Sequence, residues 1–179
     1  MSGHNKWSQL KHKKAVTDAK KSKIFSKLVR FISVEAKLAK GDMNALGLRT
    51  AIEKARKVNM PSENIERAIK KASEGGALME SIIYETYGPG GVGIVIETLT
   101  DSRNRTAQDI KHILAENNST LGGIGSVTWA FARENSNEGL IWKPTTTVSI
   151  SDNDLMLLEK LVSALEENDD VQEVYTNAE

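Results

Sequence analysis

The sequence contains no cysteine, which excludes disulfide bonds, thiolate metal sites and a cysteine nucleophile, and fits a reducing compartment. It also lacks any run of about 18 apolar residues, so no membrane-spanning helix is predicted. The amino terminus is basic and no apolar segment follows it, so we predict no secretory signal. These absences favour a cytoplasmic protein.

Histidine is scarce as well. His4, His12 and His112 are scattered along the chain, with no histidine or carboxylate partner at metal-ligand spacing, and no nucleophile elbow is present. Without a recognisable constellation of catalytic groups, we predict that the protein is not an enzyme and that it has no metal, no cofactor and no small-molecule substrate.

Charge is divided strongly between the two halves, although the formal net charge is zero. Residues 1–72 hold eighteen basic and six acidic side chains, and residues 73–179 hold six and eighteen. Such a division is typical of a nucleic-acid-binding unit joined to a unit with another task. The alternative is that the two halves only attract each other.

The first forty residues carry most of the positive charge, with eleven Lys or Arg against two acids. Apolar residues at three- and four-residue steps predict an amphipathic helix over 17–40. On its other side, a ridge of cations about 25 Å long is suited to follow several phosphates. The ridge consists of Lys20, Lys23, Lys27, Arg30 and Lys37, with Lys21 beside it.

Two further helices are predicted, at 45–58 and from Ser62 onward, where Ser62 is expected to cap the helix after Pro61. Their apolar stripes are short and need one another, which predicts a three-helix bundle. Together with the amino-terminal arm, this bundle forms a predicted basic helical domain over 1–75.

From residue 78 the pattern changes to strands. Two β-rich runs, 82–87 and 92–99, flank the segment Gly88-Pro89-Gly90-Gly91, which we interpret as a hairpin turn and not as a dinucleotide-binding loop, because no helix follows Gly93. Further strands are predicted at 126–133, 140–143, 146–150 and 171–175, and helices at 101–117 and after Ser151. The fold class is therefore α+β: an amino-terminal three-helix bundle followed by an acidic antiparallel α/β sandwich domain over 78–179.

Two features of the sequence leave alternatives open. Trp7 can stack on an unpaired base, or it can pack at the edge of the bundle. The helix start at Arg103-Asn104-Arg105 can hold an anion, or its arginines can be exposed charges that balance an acidic domain.

Blocks of sequence along nearly the whole chain resemble the YebC/PmpR family. Those that carry the resemblance include Met1 to Trp7, Lys11-His12-Lys13-Lys14, Asn59-Met60-Pro61, Asn64 to Lys71, Tyr87 to Gly91, Glu97 to Asp101, Arg103 to Thr106, Gly125-Ser126-Val127 and Asp169 to Ala178. Family members are usually longer, with a third α/β domain that would lie near residues 143–144. This chain resembles a short form without that domain.

The resemblance implies a regulator of gene expression that binds nucleic acid. Bacterial relatives are described as DNA-binding transcriptional regulators, a mitochondrial relative as a translational activator for a cytochrome oxidase subunit, and some members as ribosome-associated factors that ease synthesis of proline-rich stretches. The residues that match the family's two motifs are Lys6, Trp7, Lys11, His12, Lys13, Lys14, Arg103, Asn104 and Arg105.

The residues do not distinguish the target. No zinc-finger spacing, basic zipper or aromatic RNA-binding strand is present. We therefore predict a transcriptional regulator that binds DNA, with a ribosome- or rRNA-associated translation factor as the alternative. A third possibility is a protein-interaction module whose acidic half binds a basic partner.

Overall fold

The computed structural model describes Trp7 and residues 18–75, 78–136 and 139–179. Its amino-terminal elements are three helices: α1, Asp18–Ala39; α2, Leu46–Lys57; and α3, Ser62–Ser73. Their apolar stripes share one core, which confirms the predicted three-helix bundle. That core comprises Ile32, Ala36, Leu48, Ala51, Ile52, Ala55, Met60, Ile65, Ala68 and Ala72.

Local backbone chemistry sets the ends of these helices. Lys40 and Gly41, with φ of 49° and 90°, end α1, and Asn59, with φ of 59°, follows α2. Ser62 does not cap α3, contrary to prediction: the N-cap is Pro61 and no side chain caps the helix. Pro61 suits this place because its ring fixes φ near the helical value and it has no N–H to leave unpaired.

The remaining elements include an antiparallel sheet of β1, Glu80–Tyr87; β2, Gly93–Thr100; and β5, Val171–Thr176, in the order β1-β2-β5. A single turn at Pro89–Gly91 joins β1 to β2, with Gly90 at φ 71°. Position 90 therefore favours glycine, which has no Cβ to clash in this region. The glycine motif is a hairpin turn, as predicted.

Two helices cover one face of this sheet: α4, Arg103–Glu116, and α5, Asp152–Glu167. Ser151 caps α5 as predicted, since its Oγ accepts from the Asp154 N–H at 3.1 Å. Side chains from both helices and the sheet share one core, which confirms the α+β class. It comprises Tyr84, Val92, Ile94, Ile96, Ile110, Leu114, Leu158, Leu161, Val162, Leu165, Val171, Val174 and Ala178.

A second hairpin lies against the other face of the sheet. It consists of β3, Phe131–Ser136, and β4, Gly139–Pro144, and Phe131 packs there with Val95 and Val127. The strand predicted over 126–133 is wrong in its first half, because 128–130 form a single 3₁₀ turn. The strand predicted over 146–150 is also wrong, since Val148 forms only one isolated bridge to Ala178. The domain boundaries at 75 and 78 stay a prediction.

Candidate nucleic-acid interface

The cationic ridge of α1 faces the α+β part of the same chain. The Nζ of Lys23 donates to the main-chain oxygen of Glu167 at 2.9 Å, and that of Lys27 donates to the oxygen of Glu166 at 2.6 Å. These carbonyls lie in the last turn of α5. The last carbonyls of a helix have no partner within it and carry partial negative charge, so ammonium groups are favourable there. Part of the ridge therefore joins the two halves of the chain.

Lys27 is the more enclosed of these two lysines. Its burial lowers the pKa of the ammonium below the usual value, while the negative charge of Glu166 acts in the opposite direction. Lys23, by contrast, is exposed. A phosphate could approach Lys23 from solvent, whereas it could reach Lys27 only by displacing the Glu166 carbonyl.

Arg30 extends this contact by pairing with Asp170, and it also donates to the Leu99 main-chain oxygen at 3.4 Å. Asp170 lies in the turn between α5 and β5, and its side chain is only 4% exposed. A carboxylate buried this far needs several donors to remain ionised. Arg30 supplies one of them from the helical bundle.

The start of α4 supplies the other donors to Asp170. Thr106 Oγ1 donates to it at 2.7 Å and Arg105 Nη2 at 3.0 Å. Burial alone would raise the pKa of Asp170, but the hydrogen bonds from Thr106, Arg105 and Arg30 outweigh it and hold that pKa below its usual value. Asp170 therefore links α1, α4 and β5 through one ionised group.

The Arg103-Asn104-Arg105 motif thus binds carboxylates of its own chain. Besides Asp170, Arg105 contacts Asp101 at 2.9 Å, and Arg103 pairs with Glu80 at 2.7 Å. Asn104 is exposed. These contacts support the charge-balancing interpretation of the motif, and its role in binding nucleic acid stays a prediction.

Trp7 packs against the core formed by the sheet and its two covering helices, and its side chain is half-buried. The indole therefore attaches the amino-terminal arm to the α+β part of the chain. This favours the packing interpretation, but the packing site is the acidic half and not the bundle edge that the sequence suggested.

Five predicted site residues, Lys6, Lys11, His12, Lys13 and Lys14, lie outside the described residues and stay predictions. Lys20 and Lys21 are exposed on the first turns of α1. The bundle exposes further cations on other sides. Those described as exposed are Lys40, Arg49, Arg56, Lys57, Arg67, Lys70 and Lys71.

Sequence reasoning missed the central member of this interface, Asp170. Its partners Arg30 and Arg105 are 140 and 65 positions away, so no local pattern connects them. Within the ranges described, no group of three His, Asp or Glu side chains is arranged to hold a metal ion. None of the helices in those ranges is long and apolar enough to cross a membrane.

Comparison with family models matches the chain from near its beginning to near its end. The model described as TACO1/YebC protein N-terminal domain matches residues 5–75, and that described as TACO1/YebC second and third domain matches 79–138 and 132–178.

Individual relatives agree with these matches. A probable transcriptional regulatory protein of Fervidobacterium nodosum is 39% identical, over 99% of this chain and 93% of its own length. One of Trichlorobacter lovleyi is 53% identical, over 75% of this chain and 56% of its own. The crystal structure of a conserved hypothetical protein from Aquifex aeolicus has a TM-score of 0.85 and 35% identity, and the match covers 97% of this chain and 96% of that one.

One alignment also bears on chain length. A probable transcriptional regulatory protein of Thermoanaerobacter pseudethanolicus, 39% identical over all of this chain and 97% of its own length, aligns over 239 positions, 60 more than the 179 residues present here. That relative therefore carries residues with no counterpart in this chain. The location of the missing segment near residues 143–144 stays a prediction.

Proposed function

Because the chain belongs to the TACO1/YebC family, we propose that it regulates gene expression by binding nucleic acid, that DNA is its target, and that it catalyses no reaction. Its relatives are named probable transcriptional regulatory proteins. A regulator of this kind acts where the DNA is, and we place it in the cytoplasm on that ground.

The excess of cations on the helical bundle supports this proposal most directly. Residues 1–75 hold eighteen basic and seven acidic side chains. The contacts to α5 and Asp170 engage Lys23, Lys27 and Arg30. The arm lysines and the exposed bundle cations provide a basic surface, and neutralisation of phosphates by such a surface releases counterions and drives binding.

The expected mode of binding is contact with the phosphate backbone. No described side chain sits on an element of the types that read base edges, and Trp7 packs against the protein core. Phosphate contacts position a protein on a duplex but carry no sequence information. We therefore expect low sequence specificity in the isolated chain.

The test is a salt titration of binding to a fluorescent DNA duplex of about 20 base pairs, followed by anisotropy. We compare the wild-type chain with the triple variant Lys11→Gln, Lys13→Gln, Lys14→Gln. Because each phosphate contact contributes about 0.9 to the slope of log affinity against log salt, the triple variant should lose about 2 to 3 from that slope. It should also bind at least tenfold more weakly at low salt.

A matched control removes the same charge from the acidic half. Lys111, Lys143 and Lys160 are exposed there, and their triple replacement by Gln should leave the slope and the affinity unchanged. Salt-insensitive binding, or equal losses in the two triple variants, would contradict the proposal. Tighter binding to an RNA duplex or to ribosomal RNA at equal salt would replace DNA by RNA as the target and favour a role in translation.

A further inference from the structure

The loop between α4 and β3 presents large apolar side chains to solvent. Within it, residues 119–130 contain no charged side chain. Ile124 is fully exposed and Trp129 is 64% exposed, and Tyr87, at the end of β1, is 45% exposed beside them. Exposed apolar side chains that cluster in this way mark interaction sites more often than single ones do.

This loop is held in one conformation by a buried carboxylate beneath it. Glu85, only 5% exposed, accepts N–H bonds from Gly125 and Val127 at 2.7 Å and from Thr128 at 2.8 Å. Gly125 has φ of 81°, a conformation that a side chain at this position would strain. Burial alone would raise the pKa of Glu85, but these three N–H bonds outweigh it, so the pKa is lowered and the group stays ionised.

The two aromatic rings are also fixed. Tyr87 Oη donates to the main-chain oxygen of Ser126 at 2.6 Å, and Trp129 Nε1 donates to the same oxygen at 2.9 Å. Trp129 Nε1 lies 3.3 Å from Tyr87 Oη as well. With their polar atoms bonded to the loop itself, the rings leave apolar surface exposed. A surface that is already ordered loses little conformational entropy when a partner binds.

Charge indicates what kind of partner fits. Residues 78–179 hold seventeen acidic and six basic side chains. The turn that follows Tyr87 lies against Asp154, because a Cβ built on Gly90 would be 3.4 Å from its Oδ2. With no cation in residues 119–130 and an acidic field around it, the surface is unsuited to phosphates and suited to lysine and arginine.

We propose that Tyr87, Ile124 and Trp129 form a docking surface for a basic protein segment. A bulky apolar side chain of the partner packs against Ile124 and Trp129, while flanking Lys or Arg side chains face the acidic side chains of this half. Aromatic side chains on a fixed backbone are typical anchor points of protein interfaces. The surface is separate from the cations of the bundle, so this proposal does not depend on nucleic-acid binding.

The test uses a displayed library of random 12-residue peptides, selected on the immobilised full chain and counter-selected on the double variant Ile124→Ser, Trp129→Ser. We expect the recovered peptides to carry net positive charge and at least one Trp, Phe, Leu or Ile. One of them, synthesised and labelled, should bind the wild-type chain at least tenfold more tightly than the double variant, and its affinity should fall as salt is added.

The control variant Leu78→Ser, Met156→Ser removes two other exposed apolar side chains of the same half and should bind the peptide as the wild type does. Circular dichroism should show both double variants folded, since surface substitutions rarely change stability by more than about 0.5 kcal/mol.

Three results would overturn the proposal. One is recovery of neutral or acidic peptides, or of none that distinguish wild type from variant. Another is binding of a 12-nucleotide oligo-uridylate that only the Ile124, Trp129 variant loses, which would assign the surface to unpaired bases. The last is a wild-type dimer in sedimentation that this variant converts to monomer, which would make a second copy of the chain the occupant.

Discussion

Asp170 illustrates how one side chain can carry a contact between distant parts of a chain. Its carboxylate is bonded by Arg30 from α1 and by Arg105 and Thr106 from α4. Each arginine has other oxygen partners, namely Leu99 O for Arg30 and Asp101 for Arg105. Asp170, being almost fully buried, has no water to replace them, so we expect stability to depend more on the carboxylate than on either arginine.

We predict that Asp170→Asn lowers the free energy of unfolding by about 2 to 3 kcal/mol. Removing one partner of a buried ion pair costs about 3 to 5 kcal/mol, and the partial exposure of Arg30 and Arg105 reduces that value. Urea denaturation at pH 7 measures the difference. The neighbouring exposed Asp169 provides the matched control, and Asp169→Asn should change stability by less than about 0.5 kcal/mol.

The same variant should respond differently to acid. Since the folded-state pKa of Asp170 is lowered, the unfolded chain binds more protons between the two pKa values, and stability falls with pH there. The contribution of Asp170 is complete above about pH 4 and is lost as pH falls through its folded pKa. The gap between wild type and Asp170→Asn should therefore narrow toward pH 3. A constant gap would contradict this assignment.

Secondary-structure elements differ in how well their sequences predict them. The helix α1 was predicted at 17–40 and found at Asp18–Ala39, because its apolar period is long and glycine ends it. The strand predicted over 126–133 failed in its first half, since Val127, Trp129 and Phe131 alternate as in a strand but the backbone there turns toward Glu85. That carboxylate lies some forty residues earlier in the chain, so a local period could not reveal it.

The loop over 119–130 should lose its order when Glu85 is changed to Gln. A carboxamide keeps one acceptor oxygen and brings an NH₂ group toward N–H donors, so at least one of the three bonds is lost. We predict that amide hydrogen exchange at Gly125, Val127 and Thr128 becomes at least tenfold faster, with little change in the α1 amides. Glu80→Gln, on the same strand but exposed, should leave exchange in the loop unchanged. Equal protection in both variants would show that Glu85 does not order the loop.

Across the full chain, the opposite charges of the two halves serve two purposes that the composition alone cannot separate. Lys23, Lys27 and Arg30 are used internally, as the self-attraction alternative requires. Lys20, Lys21 and the bundle cations on other sides are exposed, as the nucleic-acid hypothesis requires. The ridge was correctly predicted as a line of cations, but which polyanion or carboxylate it meets is decided by tertiary packing that no helical period encodes.

Magnitudes decide whether DNA would pull the ridge away from α5. Nonspecific affinities of about 10⁻⁴ to 10⁻⁶ M spread over 6 to 10 phosphate contacts correspond to roughly 1 kcal/mol per contact, so the three docked cations would gain about 3 kcal/mol. Separating the buried Arg30 and Asp170 pair alone costs about as much, and the Lys23 and Lys27 bonds add to that cost. We therefore predict that the two halves stay docked when DNA binds.

Because the chain has no cysteine, two labels can be placed at chosen sites. Glu63→Cys on α3 and Met156→Cys on α5 are both exposed and report the distance between the halves by fluorescence energy transfer. Transfer efficiency should stay constant as saturating DNA is added at low salt. Arg30→Gln, which weakens the docking, serves as the control that opening is detectable and should show reduced transfer. A drop in the wild-type chain upon DNA binding would mean that phosphates displace α5 from the ridge, and that Lys27 and Arg30 belong to the binding surface after all.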